Sequence, residues 1–251
     1  MTRTLAIIGG TGLTELSQLQ VLTAHDLQTP YGPPSAPVLE GEMNGHRILF
    51  LARHGHPHRV APHRINYRAN LWALKTLYAS DVLAINAVGS IHPERMPTGA
   101  LIMPDQLIDY TSGREHTFFQ GELEAVRHVD LSEPYTAELR QLLRQAALKA
   151  GKSLRTEAVY GVTQGPRLET AAEVRKLERD GCDIIGMTGM PEAALARELN
   201  LHYAALALVV NPAAGKSNEP ITLKRIQSTL EVGMANVKAV IHAAVQEYYE
   251  S

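Results

Sequence analysis

The chain has 251 residues, 45% hydrophobic and 20% charged, with 24 Lys and Arg against 26 Asp and Glu. That describes a globular chain able to bury a core, and a net charge of −2 excludes an extended basic footprint for DNA or RNA. Cys182 is the single cysteine, which excludes an internal disulfide framework and points to a reducing compartment.

Short apolar runs that read as buried strands alternate with helical patterns. In chain order the strands are Leu5–Ile8, Ile48–Leu51, Val82–Ile85, Leu101–Met103, Ala158–Val162, Ile184–Met187 and Ala204–Val210. Between them, Glu138–Ala150 places Leu139, Leu142, Leu143, Ala146 and Ala147 on one helical face. Ala171–Arg179 and Glu192–Leu199 read as shorter helices, and Pro191 suits the first turn of the second. Thr222 can cap a long last helix with the stripe Ile226, Leu230, Met234, Val237, Ile241, Ala244 and Tyr248. The alternation predicts an α/β fold, one domain over residues 1–251, with a parallel or mixed central sheet flanked by helices. His54–Arg64 and Tyr110–Pro134 interrupt the pattern and are long enough to be functional loops. The longest clean apolar run, Tyr203 to Val210, is too short to span a bilayer. The N-terminal segment meets Gly9-Gly10 after four apolar residues, too soon for a secretory core. A soluble, cytoplasmic protein is expected, with no membrane or nucleic-acid partner.

Several short motifs can carry chemistry. Gly9-Gly10-Thr11-Gly12 follows the first strand; Glu15 stands where a dinucleotide fingerprint needs its third glycine. The turn is either an anion cradle or a tight strand exit. Gly215-Lys216-Ser217 fails as a P-loop because Val210 replaces the earlier glycine. Arg53-His54-Gly55-His56-Pro57-His58 is the densest polar cluster. Its alternate histidines suit a metal, but no carboxylate lies within the run, so anion binding by Arg53 and His54 is the stronger reading and no metal is expected. Gly165-Pro166-Arg167-Leu168-Glu169-Thr170 precedes a helix that Thr170 can cap. Gly186-Met187-Thr188-Gly189-Met190-Pro191 opens another helix, where backbone N–H groups favour an anion. Met187 alone suits core packing equally well. Asn211-Pro212-Ala213 ends the longest strand, where an Asn is a turn former or, in open α/β sheets, a ligand group.

These segments together resemble the trimeric purine nucleoside phosphorylase and methylthioadenosine phosphorylase family. The matching pieces are Ile8–Gly12, Phe50–Gly55, Ile65–Lys75, Asn86–Ser90, Gln164–Arg167 and Met187–Glu192, in family order over nearly the whole chain. The segment Asn66-Tyr67-Arg68-Ala69-Asn70-Leu71-Trp72-Ala73-Leu74 is similar to the methylthioadenosine branch in particular. The resemblance implies a phosphate site lined by Thr11, Arg53, His54, Asn86 and Ala87 and closed by Thr188, with Met187 under the ribose. Asn86 departs from the threonine of adenosine-type relatives. It further implies phosphorolysis of an N-glycosidic bond, with Arg53, His54 and Asn211 as the residues of the reaction. Phosphate is then the co-substrate, no metal or organic cofactor is needed, and the assembly is a homotrimer.

Two departures narrow the substrate that the resemblance implies. Adenosine-type relatives carry an Asp-x-Asp pair where this chain has Asn211-Pro212-Ala213. Glu169, next to Leu168, stands where oxopurine-specific relatives have a glutamate and methylthioadenosine relatives a serine. A carboxylate there accepts from N1–H of hypoxanthine; otherwise it caps the following helix. Leu223 offers hydrocarbon where hydroxyl-preferring relatives carry histidine, unless it packs in the core, and His128 corresponds to a residue contributed by a neighbouring subunit. The implied substrate is S-methyl-5′-thioinosine, with methylthioadenosine or 6-oxopurine nucleosides at large as the alternatives.

Overall fold

The computed structural model describes residues 3–120 and 127–250. The middle of the sheet lies where the apolar runs predict it. β1 (Leu5–Gly9) lies parallel to both β4 (His46–Ala52) and β5 (Asp81–Ser90), and β11 (His202–Pro212) continues the parallel set beside β5. β6 (Leu101–Ile102), β9 (Val159–Val162) and β10 (Ile184–Gly186) occupy the other expected runs. β10 pairs with the end of β5 antiparallel through Ile184 and Ile185.

Four strands lie outside the expected set. β2 (Gln20–His25) and β3 (Val38–Met43) extend the sheet antiparallel beyond β4, while β7 (Gln106–Asp109) and the two-residue β8 (Leu154–Arg155) add to other margins. β2 has only one sheet partner and leaves Val21 and Leu22 exposed, so its sequence lacks an inward-facing apolar alternation. Eleven strands among the described residues thus form one mixed sheet.

Alternate residues of β1 feed two cores, as the two-residue period of a strand requires. Leu5 and Ile7 face the layer of α2 (Ala137–Lys149) and α5 (Leu223–Glu250), while Ala6 and Ile8 face α1 (Tyr67–Thr76) and α4 (Glu192–Glu198). The five expected residues of α2 are its buried set. Thr222 accepts from the Arg225 amide at 3.3 Å, capping α5 as its sequence predicts. No helix among the described residues is long and apolar enough to cross a membrane.

The carboxyl ends of β1, β4, β5 and β11 converge at one pole, the place where open α/β sheets hold ligands. At the opposite pole the Asp81 carboxylate, fully buried, accepts from Arg3 at 2.9 Å, Ser80 at 2.5 Å and Tyr248 at 2.5 Å, with His202 Nδ1 at 3.0 Å. Burial alone would raise its pKa, but these bonds together hold it below the ordinary carboxylate value. Its stabilisation is therefore complete above the unfolded carboxyl's pKa and disappears as pH falls through the lower folded value. Asp81→Asn is expected to cost about 2–3 kcal/mol at neutral pH, because an amide cannot accept from all these donors. Urea titrations of both proteins check this; equal midpoints would show that the network contributes nothing.

Candidate active site

A cavity of about 310 Å³ opens at the carboxyl ends of the parallel strands. Twelve expected residues line it: Thr11, Arg53, His54, Asn86, Ala87, Leu168, Glu169, Met187, Thr188, Asn211, Ala213 and Leu223. They come from seven separate stretches of chain, so the fold gathers what the motifs scatter.

Arg53 follows β4 and is fully buried. Its fork is not free, as the sequence reading assumes. Nε and Nη2 donate to Glu192 at 2.7 Å each, and Nη1 donates to the Ile85 carbonyl at 2.7 Å. Three of a guanidinium's five N–H donors are therefore engaged, leaving two uncommitted. Burial pulls the Arg53 pKa down, yet the charge and hydrogen bonds of Glu192 more than offset it, so the guanidinium stays protonated. Glu192 is fully buried as well and accepts from Tyr203 at 2.8 Å. Gly10 has a steric reason here: a Cβ would collide with the Ile85 carbonyl and come within 2.9 Å of Arg53 Nη1.

His54 is nearly buried, and its Nδ1 lies 2.8 Å from the Val60 carbonyl. A carbonyl only accepts, so Nδ1 carries the proton. Burial, with smaller contributions from Arg53 and His58, pushes the His54 pKa down to about 4 despite that bond. At neutral pH the ring is uncharged and Nε2 presents a lone pair. His58, unassigned at the level of sequence, also lines the cavity; it stacks on His54 at 4.3 Å and lies 3.3 Å from the Thr11 hydroxyl. His56 turns instead to Glu15 at 3.2 Å. Among the described residues no group of three His, Cys, Asp or Glu is placed to hold a metal.

Asn86 is 1% exposed and donates through Nδ2 to the Thr188 hydroxyl at 2.9 Å. That bond uses a lone pair of Thr188 and frees its proton, while Asn86 Oδ1 is buried without a partner. Lys216, of the failed P-loop, pairs with Glu178 at 2.6 Å.

On the other side of the cavity, Glu169 Oε1 accepts from Thr163 at 2.6 Å. Glu169 does not cap α3 (Ala171–Arg179): Thr170 and Glu173 form a complete capping box there. Asn211 sits at an irregularity in the β5–β11 register and donates to the Pro212 carbonyl at 2.7 Å. Leu223 is 78% exposed and Leu168 45% exposed, so neither is a core residue; both border the cavity mouth. Two expected residues lie elsewhere. Pro212 lines an adjoining cavity of about 270 Å³ with Thr222 and Arg225, and His128 is exposed and absent from the cavity of its own chain.

One organising residue carries no sequence motif. Arg114 donates to the carbonyls of Met187 at 2.8 Å, Met190 at 2.6 Å, Thr163 at 3.2 Å and Gln164 at 2.8 Å. It thus ties together the two loops that carry Glu169 and Met187. The loops also pack tightly: a Cβ on Gly165, at φ +61°, would strike the Met187 sulfur.

The family model of the phosphorylase superfamily matches residues 4–246. The chain belongs to that superfamily. Among its relatives within the superfamily, one from Pseudomonas syringae pv. tomato, named a probable S-methyl-5′-thioinosine phosphorylase, is 58% identical over 236 residues, covering 94% of this chain and 96% of that protein. A probable 6-oxopurine nucleoside phosphorylase from Thermococcus kodakarensis is 42% identical over 247 residues, covering 96% and 91%. The solved methylthioadenosine phosphorylase from Schistosoma mansoni, in complex with adenine, superposes with a TM-score of 0.95 at 31% identity. It covers all of this chain, which spans 93% of it. The mixed sheet flanked by helices is thus the superfamily's fold.

Proposed function

We propose that this chain cleaves S-methyl-5′-thioinosine with inorganic phosphate, giving hypoxanthine and 5-methylthioribose 1-phosphate. The observation that carries the reading is Glu169: its carboxylate borders the cavity, Thr163 holds Oε1, and Oε2 is left for a donor on the base. A 6-oxopurine offers N1–H to that oxygen, whereas adenine offers only a lone pair. The printed names of the Pseudomonas and Thermococcus relatives, both concerned with 6-oxopurines, support the same choice.

Phosphate belongs at the end bounded by Thr11, Arg53, His54, Asn86, Ala87 and Thr188, where donors and a protonated guanidinium meet. Met187 lines the same cavity and is the residue assigned to pack under the ribose. In the reaction a phosphate oxygen bonds to C1′ as the C1′–N9 bond breaks; the bond's electron pair passes to the purine, which takes a proton from solvent and leaves as neutral hypoxanthine. The sugar acquires oxocarbenium character, which the neighbouring anion stabilises. Asn211 and Glu169 receive the departing base by hydrogen bonds, Asn211 at N7 and the 6-oxo group. No metal or organic cofactor enters this scheme.

Leu223 and Leu168 border the mouth; Leu223 supplies hydrocarbon for a methylthio group, while a 5′-hydroxyl would lose water there without a partner. Their exposure leaves the mouth open in an isolated chain. That open mouth supports an assembly in which a second copy covers it with His128, in line with the homotrimer that the resemblance implies; the composition supports a cytoplasmic enzyme. The test is one assay with phosphate and methylthioinosine, methylthioadenosine, inosine and adenosine. Phosphate-dependent release of hypoxanthine should be fastest from methylthioinosine. Equal use of methylthioadenosine would transfer the reading to a methylthioadenosine phosphorylase, and equal use of inosine to a general 6-oxopurine enzyme.

A further inference from the structure

From the contacts of Arg114 we infer that it is a positioning residue for the nucleoside: its guanidinium holds the base-reading turn against the ribose turn and thereby sets the preference for one base. The inference rests on the roles proposed above for Glu169 and Met187 and adds the residue that makes them act together. Arg114 does not line the cavity, so it acts through those neighbours. β9 and β10 run parallel, and the Thr163 amide extends their pairing by donating to the Gly186 carbonyl at 2.8 Å. Beyond that bond lie the turns 164–169 and 187–190. Among the described residues no backbone hydrogen bond joins one turn to the other.

Arg114 closes that gap with the two arms of one guanidinium. Nη1 donates to the Met187 and Met190 carbonyls, while Nη2 donates to those of Thr163 and Gln164. Nε donates to Gln164 Oε1 at 3.1 Å, which also accepts from the Ser112 amide at 3.1 Å. Nη1 lies 3.2 Å from the Tyr67 hydroxyl as well, but that hydroxyl has its own bond to the Pro62 carbonyl at 3.0 Å. No carboxylate is among these partners, so the shape of the fork, rather than an ion pair, does the holding. Without Arg114, four carbonyls lose a donor and water must enter between the turns. Thr163, whose carbonyl is one of the four, also holds Glu169 Oε1, so the loss shifts the base-reading carboxylate relative to Met187. A displacement of about 1 Å in such a group can cost about 10²-fold in rate.

The test compares Arg114→Gln and Arg114→Lys with the unaltered enzyme in kcat and KM for methylthioinosine, methylthioadenosine and phosphate. In Arg114→Gln the KM for methylthioinosine should rise at least about tenfold, while that for phosphate stays within about threefold. The preference in kcat/KM for methylthioinosine over methylthioadenosine should narrow at least about tenfold. Arg114→Lys should show the same pattern, because three donors on one atom cannot span both turns, and it carries the test if the glutamine variant does not fold. A variant that only holds less folded protein loses kcat equally for every substrate. Each KM and the preference would then be unchanged, and that result would overturn the inference. So would native KM values and preference in Arg114→Lys, or nucleoside and phosphate KM rising together. If the unaltered enzyme uses methylthioadenosine as well as methylthioinosine, the proposed substrate fails instead, and the split between nucleoside and phosphate KM still decides whether Arg114 positions the nucleoside.

Discussion

Arg53→Met is expected to unfold the protein more readily and to abolish most phosphorolysis, and a second substitution should separate the two losses. The single change leaves the Glu192 carboxylate fully buried with only Tyr203 donating to it. Removing one partner of a buried ion pair costs about 3–5 kcal/mol, whereas replacing both by hydrocarbon of similar volume is often neutral. Arg53→Met with Glu192→Met should therefore recover most of the lost stability in urea titrations. It should not recover the reaction. Two N–H donors that remain after Glu192 and Ile85 are served would be gone from the phosphate end in both variants. Loss of such preorganised donors costs about 10²–10³ in kcat. A double variant with near-native kcat/KM for phosphate would show that Arg53 serves the fold alone.

The contrast between Arg53 and Glu192 shows which parts of the site a sequence reveals. Arg53 is conspicuous because it follows a continuous apolar strand, where a charge must have a reason to be. Glu192 looks ordinary: an acid in the first turn of a helix, after a proline, is what the helix dipole favours anyway. Only the fold discloses that 139 positions along the chain separate it from its partner. Thr163 and Glu169 are six positions apart, yet the loop that joins their side chains has no period from which the contact could be read. Arg114 is harder still, since it lies in a polar stretch whose only regularity is the absence of one, and its partners are carbonyls that every residue possesses. The strands followed the same logic. β1, β5 and β11, buried on both faces, read as apolar runs, whereas β2 at the sheet margin has no buried face to leave a pattern. The central sheet and most of the cavity lining were legible; the bonds that hold that lining in place were not.

Base selection should respond most sharply to Glu169→Gln. In the unaltered enzyme the carboxylate accepts N1–H of hypoxanthine and faces the N1 lone pair of adenine, a mismatch that can reach about 10⁴-fold in kcat/KM. Glutamine keeps the shape and removes the charge. Thr163 then matters, because its hydroxyl lies 2.6 Å from Oε1 and can donate to the amide oxygen as it does to the carboxylate. That bond turns the amide nitrogen toward the base, as a donor suited to adenine N1. Methylthioinosine should lose about tenfold to a hundredfold in kcat/KM, the worth of a hydrogen bond to a charged group. Methylthioadenosine should gain, leaving the two substrates within about tenfold of each other. Asn211→Asp is expected to do less alone, because a carboxylate there confronts the Pro212 carbonyl that the amide now contacts at 2.7 Å. It must rotate away before it can accept from an adenine amino group. If Glu169→Gln leaves the ratio of methylthioinosine to methylthioadenosine unchanged, Glu169 does not read N1, and the choice of base rests on Asn211.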